Sequence, residues 1–116
     1  MEYRNLGRSP LMISPLTLGT MMFGGATDAA ESLRIVHDAR DHGINSMDTA
    51  DVYNNGETEK VLAKAIAGER HHWVLASKVG NRMADGPNQH GFSRKWVIEG
   101  VEASLRRLET DYLDIV

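Results

Sequence analysis

The chain alternates short segments typical of β-strands with segments of helical periodicity, and this alternation restricts the folds available to it. Strand-like segments begin near Leu16, Asn45, Trp73 and Tyr112. A helical segment follows each of the first three. Strands that alternate with helices in this way form parallel sheets with right-handed crossover connections. The sequence therefore predicts an α/β fold built on a parallel sheet.

The helical segments have recognisable ends. The first begins at the N-cap candidates Thr27 and Asp28 and ends at Gly43. The second is predicted from Glu57 to Ala67. The third follows the cap candidate Ser93. Its apolar face is predicted from residues that recur at helical spacing, namely Val97, Val101, Leu105 and Leu108.

Two architectures share this order of elements, an open doubly wound sheet and an eight-stranded barrel. A dinucleotide-binding open sheet normally places G-x-G-x-x-G after its first strand, but here the turn reads GTMMFGG from Gly19 to Gly25. Polar residues that can take part in acid–base chemistry also follow more than one strand, which suits a barrel whose loops share one chamber. We therefore predict the N-terminal half of a (β/α)8 TIM barrel.

A short β-hairpin is predicted ahead of the barrel units. Residues of about 2–14 contain two extended pieces on either side of a turn with glycine, serine and proline. The βα units begin at about residue 16, and the segment up to Val116 is expected to lie in the fourth barrel strand. Residues 1–116 are thus expected to form one partial barrel domain.

Composition limits the expected partners and location. The net charge is -3 and the lysines and arginines are scattered, so we expect neither nucleic acid nor an anionic membrane as a partner. There are no cysteines, which excludes disulfides and thiolate metal sites and fits the cytoplasm. No apolar run approaches the roughly 18 residues of a membrane span. The adjacent His71 and His72 are interpreted as a solvated loop rather than a metal site.

Three residues at predicted strand ends carry the most distinctive chemistry. Asp48 ends the second strand, Tyr53 follows it closely, and Lys78 follows the third strand. In a barrel these ends face the reaction chamber. A tyrosine there can donate a proton, a lysine can stabilise the phenolate, and an aspartate can hold the ammonium. Taken singly, the three are equally consistent with a turn former, a surface aromatic and a snorkelling lysine.

The order and spacing of these residues resemble the N-terminal portion of an aldo-keto reductase. The first signature is matched by Gly43 to Ala50 with Tyr53 and Glu59, and the lysine segment by Ser77-Lys78. The opening strand and loop, LGTM and FGG, resemble the branch with potassium-channel β subunits and bacterial stress-linked reductases. The lead into the fourth strand is matched by two further segments, Ser104 to Leu108 and Asp111 to Ile115.

This resemblance implies NADPH-dependent reduction of a small-molecule aldehyde or ketone by a tetrad of Asp, Tyr, Lys and His. Asp48, Tyr53 and Lys78 are the implied catalytic residues, and the histidine is expected beyond Val116. The implied cofactor-binding residues are Gly19, Thr20, Met21 and Asp48. The implied substrate-binding residues are Tyr53, Phe23, Asn81 and Arg82.

Two alternatives remain open at this point. Some relatives serve as non-catalytic, cofactor-sensing regulatory subunits of channels, and the tetrad does not separate the two uses. The chain is also consistent with a truncated, non-functional fragment. In that case we expect self-association through the incomplete barrel, because unpaired sheet edges promote association.

Overall fold

A short antiparallel hairpin opens the structure and is tied to the main sheet by polar contacts. The computed structural model describes residues 1–116, and in it β1 (Arg4–Asn5) pairs with β2 (Met12–Ile13). The Ser14 amide then donates to Asn45 Oδ1 at 2.8 Å. The predicted hairpin is confirmed.

Three parallel strands form the main sheet. They are β3 (Thr17–Gly19), β4 (Ser46–Asp48) and β5 (Val74–Ala76), paired in the order β3-β4-β5. In register, Gly19 lies beside Asp48, which lies beside Ala76. The carboxyl ends of the three strands therefore stand together at one edge of the sheet.

Three helices connect and follow these strands, and two of them begin at the predicted caps. The helix α1 spans Ala29–Asp41, and its N-cap Asp28 accepts a hydrogen bond from the Glu31 amide at 2.9 Å. The helix α2 spans Glu57–Ala65. The helix α3 spans Arg94–Leu108, and the Ser93 hydroxyl oxygen accepts a hydrogen bond from the Trp96 amide at 3.0 Å.

The hydrophobic core lies between the sheet and the helices. The middle residue of each main strand contributes to it: Leu18, Met47 and Leu75. Because side chains alternate along a strand, the residues on either side of these face away from the helices. The helices and the loop before β5 add the remaining large core side chains, among them Val36, Leu62, Ile66, Trp73 and Leu108. The core thus leaves the opposite face of the sheet free for chemistry.

The predicted apolar face of α3 is wrong by one position along most of its length. Val97, Val101 and Leu105 are only half-buried. The buried row of α3 consists of residues four apart, namely Trp96, Gly100, Ser104 and Leu108. A Cβ at Gly100 would lie 3.1 Å from Val79 Cγ1, so glycine permits a close approach of α3 to the chain after β5. Small residues at a close contact carry no hydrophobic signal, which explains the error.

The predicted fourth strand is reduced to a single parallel bridge between Ala76 and Ile115. The Leu75 amide donates to Asp114 Oδ2 at 2.8 Å, and the same oxygen accepts from Arg70 Nη2 at 2.8 Å. The Asp114 carboxylate therefore accepts the hydrogen bond from the Leu75 amide that a main-chain carbonyl would accept in a regular parallel ladder. The segment lies in parallel beside β5, as expected, but it is not a strand.

None of the helices combines the length and the apolar character that crossing a lipid bilayer requires.

The Ser93 cap provides a test of α3. We expect Ser93→Ala to lower the free energy of unfolding by about 1 kcal/mol, because the Trp96 amide loses its acceptor. Denaturant unfolding measures this change. Ser93→Asp keeps an acceptor oxygen at the cap and should remain close to the unsubstituted chain. Equal destabilisation by both substitutions would contradict the capping role.

Candidate active site

The ammonium of Lys78 binds both of the other residues predicted to be catalytic. Its Nζ atom donates to Asp48 Oδ2 at 2.8 Å and to the Tyr53 hydroxyl oxygen at 3.2 Å. It also donates to the Thr49 carbonyl oxygen at 2.9 Å. The structure thus brings Asp48, Tyr53 and Lys78 into one hydrogen-bonded group, which we call the trio.

Main-chain hydrogen bonds beyond the strands hold the trio together. The Thr49 amide donates to the Ala76 carbonyl at 2.9 Å, and the Asp51 amide donates to the Lys78 carbonyl at 3.2 Å. The segments that follow β4 and β5 therefore run side by side past the sheet edge. This alignment places Lys78, two residues after β5, next to Asp48 at the end of β4.

A turn in left-handed conformation fixes the position of Tyr53. Tyr53 opens the 3-10 turn Tyr53–Gly56, in which Asn54 and Asn55 have φ of 49° and 54°. Asparagine tolerates this region better than most residues. Asn54 Nδ2 also donates to the carbonyl oxygens of Met21 and Phe23, at 3.0 and 3.1 Å. Our sequence reasoning missed Asn54, although the Asn-Asn-Gly run after Tyr53 was a signal for such a turn.

Electrostatics keep Lys78 charged. Partial burial disfavours the ammonium, but the hydrogen bonds and charge of Asp48, together with Tyr53, outweigh burial and raise the pKa of Lys78 above its usual value. The side chains of Lys78 and Asp48 are 50% and 40% exposed, so water still reaches the pair. A protonated lysine beside a phenol is the arrangement that stabilises a phenolate.

Two further carboxyl groups lie buried behind the trio. The sequence pointed to Glu59 only as part of the family signature and to Asp51 not at all. Asp51 is 1% exposed and Glu59 is 0% exposed. Burial, followed by the negative charge of Glu59, raises the pKa of Asp51 above its usual value. Asp51 Oδ2 has no hydrogen-bond partner, which fits a carboxyl group that ionises reluctantly.

The predicted cofactor-binding residues around β3 differ in accessibility. Gly19 and Met21 are exposed, and Met21 keeps 59% of its surface. Thr20 is 1% exposed, and its hydroxyl donates to the Asp48 carbonyl oxygen at 2.9 Å. The Thr20 side chain therefore supports the main chain of Asp48 rather than facing the open side of the sheet. A direct cofactor contact remains a prediction for Gly19, Met21 and Asp48.

The three other predicted substrate-binding residues make no hydrogen bond to the Lys78 ammonium. The Phe23 ring is 5% exposed and belongs to the core between the sheet and the helices. Arg82 donates to carbonyl oxygens of its own loop, those of Ala84 and Gly86. Asn81 is exposed on the same loop and is not hydrogen-bonded to the trio. Burial in the core argues against a substrate contact by Phe23, whereas substrate contacts by Asn81, Arg82 and Tyr53 remain predictions.

The histidine pair interpreted as a solvated loop forms a 3-10 turn, Arg70–His72. His72 Nε2 lies 3.1 Å from the Ile44 carbonyl oxygen, so this ring contacts the main chain before β4. His71 is exposed. No three carboxylate or histidine side chains come close enough to hold a metal ion together.

The sequence profile of the Aldo/keto reductase family matches residues 15–116. The chain belongs to the aldo/keto reductase family.

The relatives of this aldo/keto reductase chain include proteins named as channel subunits and proteins named as oxidoreductases. It is 41% identical over 119 residues to a "Probable voltage-gated potassium channel subunit beta" of Arabidopsis thaliana, covering 100% of this chain and 36% of the relative. It is 42% identical over 117 residues to an uncharacterised oxidoreductase of Bacillus subtilis, covering 99% of this chain and 38% of the relative.

A solved structure with a similar fold is the holo form of an aldo-keto reductase from Bacillus halodurans. It superimposes with a TM-score of 0.87 at 43% sequence identity, covering 97% of this chain and 38% of that one. The fold therefore corresponds to the N-terminal part of an aldo-keto reductase barrel. The chain spans little more than a third of the length of these relatives.

The pair between Asp48 and Lys78 predicts how the ammonium of this aldo/keto reductase chain titrates. In Asp48→Asn we expect the pKa of Lys78 to fall, because burial continues to disfavour the ammonium while the opposing carboxylate charge is lost. NMR titration of isotope-labelled lysine side chains measures this. Lys60, whose partner is Glu57 on the surface of α2, is the internal control. An unchanged Lys78 titration would show that Asp48 does not stabilise the ammonium.

The buried Asp51 predicts a gain in stability on neutralisation. Its raised pKa means that the folded state binds this proton more tightly, so the stability it contributes is present below the usual aspartate pKa and is lost as the pH rises through the folded value. We expect Asp51→Asn to raise both Tm and the free energy of unfolding at neutral pH, because the amide leaves no charge to be buried beside Glu59. The difference should shrink on acidification towards pH ~4.

Calorimetry at several pH values measures this difference. The exposed Asp111 supplies the matched control, because Asp111→Asn removes the same charge without relieving burial. A loss of stability in Asp51→Asn at neutral pH would contradict the assignment.

Proposed function

We propose that this segment supplies Asp48, Tyr53 and Lys78 as catalytic residues for NADPH-dependent reduction of an aldehyde or ketone. The observation that carries the proposal is the position of the Lys78 ammonium, which binds Asp48 Oδ2 and the Tyr53 oxygen at once. A charged amine shared in this way couples a carboxylate to a potential proton donor. Family membership supports the same reaction class.

Tyr53 is the proposed general acid. Its oxygen accepts a hydrogen bond from Lys78, so its own proton is available for a different acceptor. When hydride adds to a carbonyl carbon, negative charge develops on the carbonyl oxygen, and Tyr53 donates its proton there. The Lys78 ammonium stabilises the phenolate left behind. Asp48 holds the ammonium in place and balances its charge.

The end of β3 has room for a planar group beside the trio. Gly19 is paired in register with Asp48, and no residue other than its two chain neighbours comes within 4 Å of the position that a Cβ would take at Gly19. The residues present therefore fit a nicotinamide ring, and we assign Gly19, Met21 and Asp48 as the residues of this segment that would hold it. When bound, NADPH supplies the hydride. Thr20 contributes by fixing the Asp48 main chain.

The proposal concerns a barrel that contains these residues. Because the chain corresponds to little more than a third of its relatives, we expect the 116 residues alone to lack turnover.

A second candidate function is favoured by one comparison. The similarity to a protein named as a potassium-channel β subunit supports a role as a cofactor-sensing partner of a channel. In that case NADPH would change association with the channel without sustained carbonyl turnover. The same trio would serve to register the bound nicotinamide.

A chimera tests the reductase proposal. The segment 15–116 would replace the matching N-terminal part of the Bacillus halodurans reductase, whose fold it shares. We expect NADPH-dependent reduction of a reactive aromatic aldehyde by the chimera, and a fall of roughly 10²- to 10⁴-fold in kcat for its Tyr53→Phe variant, because the proton donor is lost.

The matched control is Tyr112→Phe, which removes the hydroxyl of a tyrosine that packs against Arg70 outside the trio. It should leave kcat unchanged. A folded chimera that binds NADPH but reduces no carbonyl, or a Tyr53→Phe variant with full activity, would reject the catalytic assignment. Binding without turnover would favour the regulatory alternative.

A further inference from the structure

A fully buried carboxylate lies behind the trio and connects three elements of the fold. Glu59 on α2 is 0% exposed, and both of its oxygens are bound. Oε1 accepts from the Ser77 hydroxyl at 2.7 Å, and Oε2 accepts from Arg107 Nε at 2.6 Å. Glu59 therefore connects the chain after β5 to α3.

Burying this carboxylate is costly unless it is paired and hydrogen-bonded. Arg107 supplies the opposite charge, and its Nη2 also donates to the buried Ser104 hydroxyl at 3.3 Å. A protein in which well-packed hydrophobic residues replace such a pair is often at least as stable as the original. Stabilisation alone therefore does not account for a buried pair between Glu59 and Arg107.

Ser77 immediately precedes Lys78, and its side chain points in the opposite direction. Successive side chains of an extended segment alternate, and Leu75 and Ser77 face the helices. Lys78 faces the other side, where it binds Asp48 and Tyr53. The hydrogen bond from the Ser77 hydroxyl to Glu59 on the helix side therefore sets the direction in which the Lys78 side chain projects.

The main chain around Lys78 is restrained on both sides as well. The Ser77 amide donates to the Ile115 carbonyl at 3.2 Å, and the Lys78 carbonyl accepts from the Asp51 amide at 3.2 Å. These bonds fix the position of the segment along the sheet. They do not restrain the segment in the direction perpendicular to the sheet. The hydrogen bond from Ser77 to the Glu59 carboxylate supplies that restraint.

We propose that Glu59 is a positioning residue for Lys78 and acts through the hydroxyl of Ser77. The proposal rests on the proposed function in that it treats Lys78 as catalytic. Glu59 touches no atom of the trio, so its effect passes through one hydrogen bond and one peptide unit. The hydrogen bond from Arg107 fixes the position of the Glu59 carboxylate, so α3 also contributes to positioning Lys78.

Two serine substitutions separate positioning from stability. Ser77→Ala removes the hydrogen bond to Glu59 and leaves the buried charges unchanged. Ser104→Ala is the matched control. It also removes a buried hydroxyl that contacts the Glu59–Arg107 pair, but residue 104 lies on α3 and is not next to Lys78 in the chain. Both should lower the free energy of unfolding, measured with denaturant, to a similar extent, because each removes one buried hydrogen bond.

The decisive readout is the NMR titration of Lys78 in the full 116-residue chain. In Ser77→Ala we expect the pKa of Lys78 to fall, as in Asp48→Asn, because the ammonium leaves its carboxylate partner. In Ser104→Ala we expect no change. Equal shifts in the two variants, or none in either, would overturn the proposal. Ser77→Thr, which keeps the hydroxyl, should restore the titration.

If Ser77→Ala does not fold, Glu59→Asp takes its place. It keeps the negative charge but shortens the side chain, so one carboxylate no longer reaches both Ser77 and Arg107. The Lys78 titration should shift as in Ser77→Ala, and an unshifted titration would contradict the proposal. Asp51, the other carboxyl group behind the trio, keeps its charge environment in this comparison because the charge of residue 59 is unchanged.

Kinetics of the chimera distinguish failure of this inference from failure of the proposed function. We expect Ser77→Ala to lower kcat by about 10- to 10²-fold with little change in KM, since misplacement of a catalytic group by ~1 Å has effects of this size. If Lys78→Met retains full activity, the proposed function fails, whereas the lysine titration still decides whether Glu59 positions Lys78.

Discussion

The site depends on two main-chain hydrogen bonds that extend the parallel alignment of β4 and β5 past the ends of the strands. The bonds from the Thr49 amide to Ala76 and from the Asp51 amide to Lys78 keep the two following segments adjacent. Without them, Lys78 would lie on a loop that is not fixed relative to Asp48 at the end of β4, and holding the ion pair would cost more conformational entropy. Because the sheet pays this ordering cost, the ammonium can bind Asp48, Tyr53 and the Thr49 carbonyl together.

Charge is arranged on two sides of the sheet. On the open side, the Lys78 ammonium and the Asp48 carboxylate are partly exposed to water. On the helix side, Glu59 and Arg107 form a pair in which the carboxylate is fully buried. Ser77 lies between the two, since its hydroxyl binds Glu59 and its peptide unit leads to Lys78. Chemistry on one face is thereby supported by a rigid polar contact on the other.

The sequence was sufficient for the parts of the structure that follow from periodicity and strand order. Asp48 and Lys78 were placed together because strand ends meet at one edge of a parallel sheet, and the caps Asp28 and Ser93 were correctly identified. Other features depend on tertiary contact and have no local signal. Gly100 and Ser104 form the buried row of α3 because the backbone approaches Val79 closely there, and Asp114 replaces a main-chain acceptor at Leu75. Phe23 enters the core because Asn54 and Thr58 hold its carbonyl, a contact across more than 30 residues.

The exposure of the trio bears on how it would act within a complete site. An ion pair that water reaches contributes little free energy, because solvent screens it and competes for its hydrogen bonds. The Asp48–Lys78 pair is in this state, with 40% and 50% of the side-chain surfaces open. Any group that covers the open face, whether a bound nicotinamide, a carbonyl compound or further strands, would remove water and strengthen the pull of Lys78 on the Tyr53 oxygen. The geometry of the trio is thus set by two βα units and their helices, whereas its electrostatic strength depends on what closes over it.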